Sequence, residues 1–356
     1  MKKNAVLKRT LVAAGIVLAV AMLYVGLVYA MVFVPSFTRH VPGEANNREH
    51  FKEERYYDEY KAAAEWFFAQ NPGELAIESF DGLRLSAYHL PHENPVGTIV
   101  LVHGYHSEPV REYVTLAQFY HELGYNIIMP VQRTHATEGG LVSEGKYITF
   151  GVKERYDVRD WIALANKIYG EENPLFVQGI SMGCATSVMT LGFELPPNLC
   201  GLIADCGFTS PREIIWKVLK DDMRLPTSRL IIRIGNFFTK HIAGFDMGEY
   251  STLDALRFNK ARAEQIPVLF IHGTADDFVP IEMSERNYDE CIATFSEEAN
   301  GVVRIGMNEQ AEKYDFIKIE GAAHAIENLV DPEIYHFVVA EFLGKYNRTK
   351  QSVEPR

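Results

Sequence analysis

A chain of 356 residues, 47% hydrophobic and 23% charged, has enough apolar content to build a large core, which excludes intrinsic disorder. Its 47 acidic side chains against 35 basic ones leave a formal charge of −12 at pH 7. That is the wrong sign for a nucleic-acid partner, which demands a basic face.

The first ten residues carry Lys2, Lys3, Lys8 and Arg9, and Leu11 to Val34 then hold no charged side chain. At 1.5 Å per residue these 24 positions make a helix of about 36 Å, longer than the roughly 30 Å hydrocarbon core. The expectation is a cytoplasmic basic tail (1–10), one transmembrane helix (11–34) and a body outside the cytoplasm, by the positive-inside rule. A cleaved signal peptide ending at Val28-Tyr29-Ala30 is the rival reading. The apolar run outlasts an ordinary 7–15-residue h-region and continues past Ala30, which favours the anchor and a single-pass location in the cell membrane. No second segment is long enough to span, which argues against a transporter.

Residues 35–74 read as a juxtamembrane linker and helix, with Tyr56, Tyr60, Ala63, Ala64 and Phe67 at helical intervals before Asn71-Pro72-Gly73. Leu75 to Phe80 and Leu83 to Leu90 alternate around Asp81-Gly82, a hairpin pattern. Continuous apolar runs at 98–102, 125–131, 175–179, 199–204, 267–271 and 314–319 predict strands buried on both faces. Helical patterns at 111–123, 153–169, 182–193, 281–293 and 331–346 alternate with them. The prediction is a mostly parallel sheet covered on both faces, its first core part at 75–207 and its second at 264–346. Between the two, 208–263 has helical patterns and no strand, and is expected to cap the site from the strands' carboxyl ends. A polar excursion is expected at 294–313, and 347–356 is a tail.

The cysteines, Cys184, Cys200, Cys206 and Cys291, show neither C-x-x-C pairs nor metal-ligand spacing, so no zinc site is expected. One bridge stays open, Cys200 with Cys206 among the choices; Cys184 and Cys206 read as small buried hydrophobes.

The chemistry concentrates in three places. Gly179-Ile180-Ser181-Met182-Gly183 follows an apolar strand and opens a helix, the strand–turn–helix that exposes a serine on a strained turn. A serine hydroxyl needs a base to take its proton, and the base needs an acid to fix its tautomer. Downstream, His272-Gly273-Thr274-Ala275 follows a strand and leads into Asp276 and Asp277, either of which suits the acid. His324 follows the last strand, with Gly321-Ala322-Ala323 leaving its ring room to reach Ser181. Leu101-Val102-His103-Gly104-Tyr105 ends a strand and turns; the backbone N–H of Tyr105, with that of Met182, is assigned to the oxyanion hole. His103 is read as holding that loop.

Together, His103-Gly104, Gly179–Gly183, His272–Asp276 and Gly321–His324 resemble the α/β-hydrolase superfamily, over roughly Ile77 to Tyr346. Most similar is its bacterial serine aminopeptidase-like or lysophospholipase-like branch, many members of which carry an N-terminal membrane segment. The resemblance implies an α/β-hydrolase fold with a helical cap, and it selects Asp276 over Asp277, because the family's acid follows H-G-x-x. It departs at Gln132–Gly139, where the family has D-x-R-G-H-G-x-S-x-G; Arg133 and His135 remain. The expected enzyme is a serine hydrolase of the carboxylesterase or lipase kind, using Ser181, Asp276 and His324 on an ester or amphiphile, with no metal or organic cofactor. A peptidase for short peptides and a catalytically silent, membrane-tethered binding protein are the alternatives.

Overall fold

A computed structural model describes residues 2–35, 53–225, 228–299 and 302–347. Eight strands form the main sheet: β1 (Gly73–Glu78), β2 (Arg84–Leu90), β3 (Gly97–Val102), β4 (Tyr125–Pro130), β5 (Leu175–Ile180), β6 (Leu199–Asp205), β7 (Val268–Gly273) and, last in the chain, Tyr314–Ile319. Their order is β1-β2-β4-β3-β5-β6-β7 and then Tyr314–Ile319. β1 and β2 form the antiparallel hairpin, closed at Glu78↔Arg84, and β2 pairs antiparallel with β4; the remaining pairings are parallel. Every residue of β3, β4, β5, β6 and β7 is buried, as unbroken apolar strands covered on two faces must be.

One face is covered by α2 (Glu54–Ala69), α3 (Pro109–Glu122) and the C-terminal helix Pro332–Tyr346. The other is covered by α4 (Glu154–Tyr169), α5 (Met182–Thr190), a helix at Thr252–Lys260 and a helix at Ile281–Ile292. All four cysteines are buried and free, so the bridge left open by the sequence does not form. The stretch 294–313, expected as a polar excursion, takes part in regular structure. Ala293–Ala299 and Val302–Met307 pair as an antiparallel ribbon apart from the main sheet. Glu297 and Glu298 interrupt the apolar alternation that would have announced it.

The segment after β6 holds helices and, among the described residues up to Ala263, no strand. α6 (Pro211–Lys217) extends through a π-helical turn, Val218–Asp222. α7 (Arg229–Phe238) extends through another, Thr239–Ala243, and stops at Gly244 in the left-handed region. Ser210 and Ser228 cap these helices by accepting the N–H of Glu213 and Ile231. We label the following helix, Thr252–Lys260, α8; it packs on α5 and on Ile281–Ile292, and so belongs to the layer over the sheet.

At the N-terminus, α1 runs unbroken from Lys2 to Phe33. Among the described residues, no helix is long and apolar enough to cross a membrane; part of the side chains of α1 lie outside that description. The far end of α1 is embedded in the body; the linker expected after it falls on residues 36–52, outside the described residues. Phe33 is only 3% exposed and packs with Tyr29 and Val32 against Phe150, Ile215, Ile232 and Phe245. Ile148 N–H donates to Phe33 O at 3.0 Å.

Candidate active site

Ser181 ends β5 and starts α5 at φ 56° and ψ −117°, a positive φ that a non-glycine residue holds only under constraint. The constraint comes from the glycines around it. A Cβ on Gly179 would sit 2.2 Å from Gly183 O, and one on Gly183 would sit 1.8 Å from Val102 O. Only bare backbone permits that approach. A hydrogen bond from Ser181 N to Asp205 O, 2.9 Å, completes the turn.

His324 reaches this serine across the strand ends. Its Nε2 lies 2.9 Å from Ser181 Oγ, and its Nδ1 lies 2.7 Å from Asp276 Oδ2. That places the ring proton on Nδ1 and leaves Nε2 free to accept. Asp276 Oδ1 accepts the N–H groups of Phe278 and Val279, both at 2.9 Å. Burial pushes the Asp276 carboxyl up, but the hydrogen bonds from His272, His324 and Val279 outweigh it and hold the group well below the usual carboxylate range. Asp277 is exposed, so the structure brings Asp276, and not Asp277, to the histidine.

His272 is a partner that sequence reasoning left without a role. Its Nε2 lies 3.1 Å from Asp276 Oδ2 and 2.9 Å from Val279 O, and its Nδ1 contacts Ser284 Oγ at 2.8 Å. With Nε2 protonated, the ring donates to Oδ2, the same carboxylate oxygen that His324 contacts. The signal was present as a histidine four residues before Asp276.

The β3 end passes directly beside Ser181, for a Cβ on Gly104 would be 3.2 Å from Ser181 Cβ. Gly104 N–H donates to Glu112 Oε2 at 2.7 Å, which fixes the turn ahead of Tyr105. Among the described residues, the Tyr105 N–H has no backbone acceptor; Met182, as first residue of α5, has none inside the helix. Two free donors therefore flank the serine. His103 is fully buried and holds the loop, as read from the sequence. Its Nε2 accepts Gln132 N–H at 2.9 Å, and its Nδ1 lies 2.9 Å from Gly104 O. Burial, the neighbouring His135 and Arg111 hold its pKa well below the ordinary value, so the ring is neutral.

No family model matches the chain. An uncharacterized protein of Bacillus subtilis, YqkD, is 27% identical over 274 residues, 77% of this chain and 79% of that protein. Among solved structures, the esterase Pf2001 of Pyrococcus furiosus superposes with a TM-score of 0.56 at 20% identity, over 78% of this chain and 93% of that one. The α/β hydrolase GrgF of a Penicillium species does so at 0.54 and 12% identity, over 78% and 99%. The fold is that of the α/β-hydrolases.

In this α/β-hydrolase fold, the stretch that departs from the expected pattern, Gln132–Gly139, acts as scaffold. Arg133 is buried and grips Asp157 through two hydrogen bonds, 2.6 and 2.7 Å, and Asp81 through two more, 3.0 and 3.1 Å. It thereby ties the loop after β4 to α4 and to the β1–β2 turn. The mouth of the site is a cleft of about 680 Å³ lined by Tyr105, Arg111, Phe278, His324 and Ile326, among others. Beneath the triad lies a second buried carboxyl, Asp205, which accepts Tyr335 O–H at 2.6 Å. Burial pushes it up to about 7. Two clusters of the described residues approach metal-ligand spacing, Cys206 with Asp276 and His324, and Asp205 with Cys206 and Glu327; Asp276 and His324 are already hydrogen-bonded to each other.

Proposed function

We propose that this chain is a serine hydrolase that cleaves carboxylic esters through an acyl-enzyme. The observation that supports the reading is the continuous line Ser181 Oγ–His324–Asp276, 2.9 and 2.7 Å, on a strained strand-to-helix turn. Ser181 Oγ attacks the ester carbonyl while its proton passes to His324 Nε2. The oxyanion forms between the N–H groups of Tyr105 and Met182. His324 returns the proton to the leaving alkoxide, and water repeats the sequence to free the acid. Asp276 holds the imidazole tautomer and balances the imidazolium charge, and no step needs a cofactor.

The reading extends to an amphiphilic substrate and to a single-pass anchor formed by 11–34, with the body outside the cytoplasm. Support comes from the uncharged run Leu11–Val34 and from the apolar cap. The resemblance to esterases by name, at 20% identity, speaks to fold, so the test must be chemical. The full chain in detergent is assayed on p-nitrophenyl esters of two to sixteen carbons and on aminoacyl p-nitroanilides, beside Ser181→Ala. Ester turnover lost in the variant is the expected result. Turnover of the anilides alone would make the chain a peptidase, and none on either series would favour a silent binding protein.

A further inference from the structure

We propose that the outer face of the cap helix α7 is a lipid-contacting surface, seated in the headgroup region of the bilayer that α1 enters. The inference rests on the reading of α1 as a membrane span and adds a second contact to it.

Three observations carry the argument. First, the far end of α1 is packed into the body: Val32 O accepts Tyr105 O–H at 2.9 Å and Phe33 is buried, so the helix fixes how the body stands on the membrane. Second, α7 lies alongside the part of α1 that must be at bilayer depth. Counting about 30 Å from Leu11 at 1.5 Å per residue reaches Ala30. Tyr24, Val25 and Val28 fall inside that limit and share one apolar groove with Ile231, Ile232 and Gly235 of α7. A helix that packs against those residues meets the membrane itself.

Third, α7 is dressed for it. Leu230, Ile234 and Phe237 recur at four- and three-residue intervals and are 65%, 38% and 57% exposed. On α1, Leu23 and Leu27 are exposed as well. Arg229 and Arg233 of α7, and Arg224 ahead of it in the chain, are exposed, and none has an acidic partner among the described residues. In a chain of net charge −12, unpaired arginines beside an apolar stripe match an anionic lipid surface. The occupant is therefore lipid rather than a second protein. The cap roof over Met182 and Phe208 is then held at the interface where an amphiphile would arrive.

The test uses the full chain in vesicles of phosphatidylcholine and phosphatidylglycerol at 3:1, with an environment-sensitive maleimide dye. The four native cysteines are buried, so Phe237→Cys and, as a control on the helix over the sheet, Phe337→Cys each label at one site. Brominated acyl chains should quench the dye at 237 several-fold more than at 337. Equal quenching, with the protein retained on vesicles after alkaline extraction, overturns the cap contact while leaving the anchor standing. Release of the protein by alkaline extraction overturns the anchor, and the cap contact falls with it.

Discussion

Replacing Asp276 by Asn separates the proposed triad from a chance meeting of three polar groups. The carboxylate accepts four hydrogen bonds, two from backbone N–H groups on Oδ1 and two from histidine rings on Oδ2. An Asn that keeps its oxygen on Phe278 and Val279 turns its NH₂ toward two ring N–H groups, donor against donor. His324 then relieves the clash by moving its proton to Nε2, the atom that must accept from Ser181. The opposite amide orientation faces NH₂ against the two backbone donors and forfeits two bonds to a charged acceptor. At about 1.5–3 kcal/mol each, that orientation costs about 3–6 kcal/mol and offers no escape. In serine hydrolysis generally, this exchange of acid for amide lowers kcat by about 10⁴-fold, or about 5.4 kcal/mol. The same loss is expected here, measured as kcat on a p-nitrophenyl ester, with thermal melting to confirm the fold. Asp277→Asn, at an exposed side chain, should stay within about twofold. A loss below tenfold for Asp276→Asn in a folded protein, or the larger loss at Asp277, would refute the reasoning.

Two other predictions address the scaffold. Gly183→Ala forces a Cβ to within 1.8 Å of Val102 O, a backbone atom that cannot turn aside, and should cost about 3 kcal/mol or more; an unchanged melting temperature would contradict it. Asp205→Asn probes pH dependence: the native carboxyl, pushed up to about 7 by burial, binds a proton in the fold that the unfolded chain releases near its ordinary value. Native stability therefore falls as pH rises from about 4 to about 7, a loss that a non-titrating Asn escapes. The melting temperature of the variant, relative to native, should rise between pH 5 and pH 8; a constant difference would mean that Asp205 is ionised throughout.

The five inner strands were legible because parallel strands buried on two faces must be apolar, as Thr98–Val102 and Pro267–Ile271 are; Tyr314–Ile319, expected to be buried on both faces too, instead lies at the sheet edge with Asp315 and Lys318 exposed. The meeting of Ser181, Asp276 and His324 was legible for a related reason. Each follows a parallel strand of one sheet, so the topology delivers all three to the same edge. What pattern could not show were contacts made by single side chains across long separations. Glu112 serves Gly104 from inside a helix whose apolar face gives no hint of it, and His272 braces Asp276 from within a strand. The embedding of Phe33 in the body was equally hidden, since an apolar run reads the same whether its last turn meets lipid or protein. Cleavage after Ala30 would take Tyr29 out of the cluster it shares with Phe33 and leave Val32, whose carbonyl accepts the Tyr105 hydroxyl, and Phe33 at a loose end of the body.

The most direct test of the central claim is labelling of the full chain by a fluorophosphonate probe, run beside Ser181→Ala. An activated serine attacks phosphorus and is held as a stable adduct, whereas an ordinary solvated serine does not react. The account predicts labelling of the native chain, mapped to Ser181, and none in the variant. A folded native chain that resists the probe, or a variant that labels as well as native, would contradict it.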